Sequence, residues 1–145
     1  MRTISKIFQS NLVYILILPV LIGCGDKEKV DSLTLMQKRL RGTWSVSSVT
    51  LNGLDVTTFY EDLTLDLLSN NTYECENEVD PVWPVSGTYE ASLENDLRIL
   101  TRNDGIEMTV LELTSANLVV QFPWVAASGG RGLDVGGQYE FRFVK

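Results

Sequence analysis

Glu74, Glu76, Glu78 and Asp80 recur at every second position. Several carboxylates on one face are what a hard cation such as Ca²⁺ collects. An extended strand, however, spreads alternate side chains by about 7 Å. A charged, solvated outer face is therefore the reading we take. Ser128-Gly129-Gly130-Arg131-Gly132 is glycine-rich, but it lacks the strand, lysine and helix that frame a phosphate loop. It reads as a loop at one mouth of the fold. The chain has no histidine, the commonest general base and metal ligand. No Ser or Cys has a base beside it in a recognisable motif. We expect no catalytic residue, no metal and no cofactor, and hence not an enzyme. Trp83, between Pro81 and Pro84, and Trp124, after Pro123, are aromatics at strand ends. They suit either rim packing or contact with a partner.

The amino terminus carries Arg2 and Lys6, and Leu12 to Ile22 is then apolar. At ~1.5 Å per residue this run covers roughly 16 Å, against ~30 Å for a bilayer core. It is too short to span and fits the apolar region of a secretory signal peptide. Leu21-Ile22-Gly23-Cys24 resembles the lipobox of bacterial lipoproteins. That resemblance implies diacylation of the Cys24 thiol, cleavage before it and acylation of the new amino terminus. Residues 1–23 are then a signal peptide, 24–30 a lipidated tether and 31–145 the folded domain. Several acyl chains anchor a protein durably, where one does not. Gly25 stands where Asp would favour inner-membrane retention, so the anchor leans towards the outer membrane. Asp26-Lys27-Glu28-Lys29 resembles the acidic tags that carry some lipoproteins to the cell surface. The expected place is the cell envelope, on its periplasmic face or at the surface. With Cys24 lipidated, Cys75 has no partner in the chain, and a buried free thiol is favoured over a dimer link.

Beyond Cys24 the net charge is −9, from 10 basic and 19 acidic residues. So acidic a surface excludes nucleic acid, which needs a basic footprint. Asp31 or Ser32 can cap a short helix that places Leu33, Met36 and Leu40 on one face and stops at Gly42. From Thr43 the pattern is strands and turns. Asn52-Gly53, Ser69-Asn70-Asn71, Glu94-Asn95-Asp96 and Asn103-Asp104-Gly105 are turn signals between alternating runs. The alternation slips between Val110 and Leu113, as a bulge would make it. One apolar face per strand and short links favour an up-and-down meander closed into a barrel. A sandwich would need longer crossovers. The fold class is all-β: an eight-stranded antiparallel barrel with a short N-terminal helix.

Gly42-Thr43-Trp44, Gly87-Thr88-Tyr89 and the closing Tyr139-Glu140-Phe141-Arg142-Phe143 resemble the lipocalins, and more closely the small lipid-anchored lipocalin-like proteins of Gram-negative bacteria. The resemblance runs from about Leu40 to Lys145. It implies that Trp44 closes the base of the barrel and that Arg142 packs over it, a favourable cation–π pair. The Thr-Asp-Tyr motif of classical lipocalins is absent. The interior is the candidate site, with Ser48, Leu65, Tyr73, Gly87, Tyr89, Met108, Phe122 and Tyr139 facing it. Ile99 joins the same inward set. A small apolar ligand is the first expectation. The alternative is a non-enzymatic protein-interaction or inhibitor module on the envelope, its partner unknown. The inward residues are bulky, which leaves a small cavity or none.

Overall fold

The two-residue turns set the architecture. Asn52 and Gly53 have φ of 50° and 80°, and Asn95 and Asp96 have 48° and 67°. Positive φ at both central residues is what type I′ hairpins require, and Asn, Asp and Gly tolerate it best. The computed structural model describes residues 25–126 and 135–145. The signal segment, Cys24 and the loop Ser128–Gly132 lie outside the described residues.

One helix, α1 (Gly25–Leu40), precedes the strands. These are β1 (Gly42–Leu51), β2 (Leu54–Asp55), β3 (Thr64–Leu67), β4 (Thr72–Glu76), β5 (Ser86–Glu94), β6 (Leu97–Arg102), β7 (Glu107–Leu113), β8 (Asn117–Trp124) and β9 (Gly137–Val144). A 3₁₀ turn covers Thr57–Phe59. Neighbours from β3 to β9 pair in chain order, and β1 pairs with both β3 and β9. That second pairing closes the sheet. The two-residue β2 only lengthens one edge of β1. The result is a closed eight-stranded antiparallel barrel with one helix, a lipocalin-like architecture. Among the described residues, closure leaves only the two-residue β2 as a sheet edge.

The helix begins at Gly25, well before the cap expected at Asp31 or Ser32. The tether assigned to 25–30 is thus helical, and its Lys and Glu are good helix formers. Met36 and Leu40 are buried against the barrel, as the stripe required, and Leu33 is partly so. Burying each full side chain stabilises by about 1.5–3 kcal/mol. The carbonyls that end a helix have no partner inside it. Here Trp44 Nε1 donates to Leu40 O (2.6 Å), and Lys145 Nζ donates to Arg39 O (3.1 Å) and Arg41 O (2.6 Å). The base of the barrel and the end of the helix therefore satisfy one another.

Two irregularities reset which residues face inward. In β7 the register shifts between Val110 and Glu112, where the sequence slipped. Leu111 is turned out and Leu113 is buried. In β1 the register shifts between Val46 and Ser48. Alternation counted from Trp44 puts Ser48 inside; the extra residue turns it outward, half-buried, and brings in Val49.

Candidate functional site

The middle of the barrel is built from strands and completed by a loop. Phe122 on β8 stacks on Tyr139 and Phe141 of β9, with ring centroids 5.9 and 5.8 Å apart. Phe141 stacks in turn on Phe143. Tyr60, just after the 3₁₀ turn, closes one side edge-on to Phe141 at 5.0 Å. Between β4 and β5 the chain folds inward and delivers Trp83, which is 2% exposed. Its indole meets Tyr73, Phe122, Phe141 and Phe143 edge-on, at 5.7–6.2 Å and 81–90°. Edge-to-face geometry sets a ring's positive rim against a neighbour's negative face. Trp83 is thus a core residue, neither at the rim nor free to touch a partner.

A buried cation holds that loop. Arg102, at the end of β6, has a fully buried side chain. Its Nη1 donates to Val82 O (2.7 Å), its Nε to Asp104 Oδ1 (3.2 Å), and its Nη2 pairs with Asp104 Oδ2. The guanidinium carbon stands 5.2 Å from the Trp83 ring centroid. Burial of a charge is costly unless it is paired and hydrogen-bonded. Here the pairing is supplied by the next turn. Burial by itself raises the Asp104 carboxyl, but the hydrogen bonds and charge of Arg102 outweigh it and hold the group below its ordinary value. Trp83 Nε1 is buried and has no hydrogen-bond partner among the described residues.

The void left inside is ≈ 10 Å³, room for about one water. Of the residues expected to line a ligand site, Leu65, Tyr73, Tyr89 and Met108 border this void. Phe122 and Tyr139 are buried in the ring stack beside it. Gly87 does not leave room. A Cβ there would lie 2.7 and 2.8 Å from Cε1 and the hydroxyl oxygen of Tyr73, and closer still to Asn103 Oδ1. Tyr73 fills the space that the glycine vacates, a cross-strand pairing that supports the bare position. Gly87→Ala is therefore expected to destabilise by about 1–3 kcal/mol through overpacking, read as a lower urea midpoint at unchanged slope. Ser48 is separated from the others on the outer face.

The base pairing is corrected as well. Trp44 is fully buried at the base, but the cation over it is Lys145, with Nζ 4.2 Å from the ring centroid. Arg142 faces outward and pairs with Glu140 Oε1 at 2.7 Å. Parity explains this: Tyr139, Phe141 and Phe143 point inward, so Lys145 follows them and Arg142 cannot. Ile99 is only partly buried, because β6 pairs Ala91 with Leu100 and Tyr89 with Arg102. Those inward partners fix the phase of β6.

Cys75 is a free, buried thiol. Burial, helped by the charge of Glu78, pushes it up to about 12. At about pH 8 its thiolate is then on the order of 10⁻⁴ of the population. A thiol-specific reagent should label Cys75 only after unfolding, and rapid labelling of the native chain at that pH would contradict the burial. Glu74, Glu76, Glu78 and Asp80 are exposed. Among the described residues no group of three or more acidic or cysteine side chains gathers as a metal site would. Among them, too, no helix is long and apolar enough to cross a membrane.

Asp104 and Arg102 were missed in the sequence, although the turn that carries them was not. The one signal is an arginine closing a strand with an aspartate two residues on. The fold and interior define a closed antiparallel barrel with a self-filled centre. Comparison of the chain with family models, with curated proteins and with solved structures found no match.

Proposed function

We propose that this chain is a lipid-anchored, non-catalytic binding module of the cell envelope that recognises a protein partner with the outside of its barrel. The filled interior carries this reading: Trp83 occupies the centre and leaves ≈ 10 Å³. A drug-sized ligand needs several hundred Å³. The anchor rests on the lipobox-like Leu21-Ile22-Gly23-Cys24, and Gly25 in place of Asp favours the outer membrane. The recognition end lies opposite α1. There Leu54 of β2, Phe59 of the 3₁₀ turn and the loop residues Val85 and Val125 are exposed apolar side chains. Around them stand the exposed acids Glu61, Asp62, Glu76, Glu78, Asp80 and Glu107. Among the described residues the exposed Lys38, Arg39, Arg41, Arg98 and Lys145 lie in the other half, at the helix end, and the exposed Arg142 on β9 is paired with Glu140. A basic, partly apolar protein surface complements such a rim.

A second reading keeps a small apolar ligand inside the barrel. It is favoured by one observation: the plug arrives on a loop, and its indole N–H has no partner. A ligand would then take the place of Trp83. Native mass spectrometry of protein purified from its own envelope separates the two. The first reading expects an acylated chain beginning at Cys24 with no uncharged apolar molecule bound. A stoichiometric uncharged apolar molecule would overturn it in favour of the second, and an unacylated chain would remove the anchor.

A further inference from the structure

The outer wall beside α1 holds a hollow of ≈ 110 Å³ between the helix and the β5–β6–β7 face. Its floor is apolar: Met36 and Leu113 are buried there, with Leu93 beside them, and Leu35 stands at the edge, 46% exposed. Two arginines, Arg39 from the last turn of α1 and Arg98 from the start of β6, line the same hollow. Neither forms an ion pair with a carboxylate among the described residues. Arg39 Nη1 makes one long hydrogen bond to Leu113 O, at 3.5 Å. The nearby Glu94 accepts instead from Ser92 Oγ. Ser32 adds a hydroxyl to the lining.

Like charges lining one hollow repel unless an anion stands between them. A guanidinium presents a planar fork that fits two oxygens of a phosphate or carboxylate. An apolar floor with a leucine at its edge suits hydrocarbon attached to that anion. From these features we infer that the hollow binds an amphipathic oxyanion, with its charged group between Arg39 and Arg98 and its chain along Leu35 and Leu93. The chemistry is that of an anionic lipid headgroup. The net charge of the whole chain opposes such a ligand, so the attraction is local to this end, where Lys38, Arg41 and Lys145 are also basic. The site is outside the barrel and does not depend on acylation of Cys24.

The test uses the full chain, ¹⁵N-labelled and held in a nonionic detergent. It is titrated with a short-chain phosphatidylglycerol, with its phosphatidylcholine counterpart and with inorganic phosphate. The first is expected to move the side-chain Nε–H signals of Arg39 and Arg98 saturably, while the other two move them at least tenfold more weakly. Arg98→Gln is expected to weaken binding about tenfold, and Arg98→Lys to weaken it less. Leu35→Ser keeps both arginines and should weaken the lipid but not phosphate. Both positions reach the surface, so the fold is expected to hold, and an unchanged thermal midpoint verifies it. Equal binding of the choline lipid, equal binding of phosphate alone, or no saturable shift with any of the three would overturn the proposal.

Discussion

Trp83→Ala lowers the unfolding free energy by about 3–5 kcal/mol, the range for removing a large aromatic from a packed core. The loss has two parts. The indole forfeits its edge-on contacts with four rings and the cation–π contact with Arg102. The barrel around it is closed by backbone hydrogen bonds from strand to strand, so its wall cannot collapse into the space. Urea unfolding followed by far-ultraviolet circular dichroism gives the number. Trp83→Phe keeps a ring and should cost less. A loss below about 1 kcal/mol for Trp83→Ala, the level of an unremarkable surface change, would mean that the indole does not fill the centre.

Asp104→Ala has a comparable effect for a different reason. It strips the buried Arg102 guanidinium of both carboxylate contacts and leaves only Val82 O and the Trp83 face. Breaking a buried pair from one side typically costs about 3–5 kcal/mol, because the remaining charge stays desolvated. Part of the Asp104 side chain reaches water, which places this case at the lower end. Arg102→Met combined with Asp104→Ala removes charge and partner together and should recover part of the loss. The same pair gives the acid response its sign. The Asp104 carboxyl is held below the ordinary carboxylate value, so its contribution is complete above about pH 4. It is lost as the pH falls through the lowered value of the folded state. Asp55 is lowered too, by hydrogen bonds from the side chain and backbone of Thr57, and adds to that slope. Asp104→Ala should therefore flatten, but not abolish, the decline in stability as the pH falls below about 4. An unaltered slope would contradict the pairing.

The parts of this barrel that the sequence announced are those decided locally. Asn52-Gly53 and Asn95-Asp96 need positive φ, and that need is written in the residue types. The slip at Leu111 is a break in a period of two, visible without knowing what β7 pairs with. Ser48 and Ile99 were misplaced because one extra residue or one pairing partner reverses a whole strand. Nothing within Gly42–Leu51 marks Ser47 as the extra one. The family resemblance points to Arg142, whereas the parity of Tyr139, Phe141 and Phe143 points to Lys145. Trp83 was out of reach for another reason. Its place depends on a loop crossing the barrel and on a cation that β6 contributes from far along the chain. The two arginines of the outer hollow come from elements distant in sequence, so only the folded chain brings them together.

The protein's own tryptophan occupies the place where a barrel of this kind would hold a ligand. Hydrogen exchange of the indole N–H groups, followed by ¹⁵N nuclear magnetic resonance together with the proton contacts of each ring, tests it most directly. The Trp83 N–H should exchange only on global unfolding, and its ring should show contacts to Phe122, Phe141 and Phe143. A Trp83 N–H exchanging at the rate of an exposed indole, with no contact to those rings, would mean an open interior in place of a filled one.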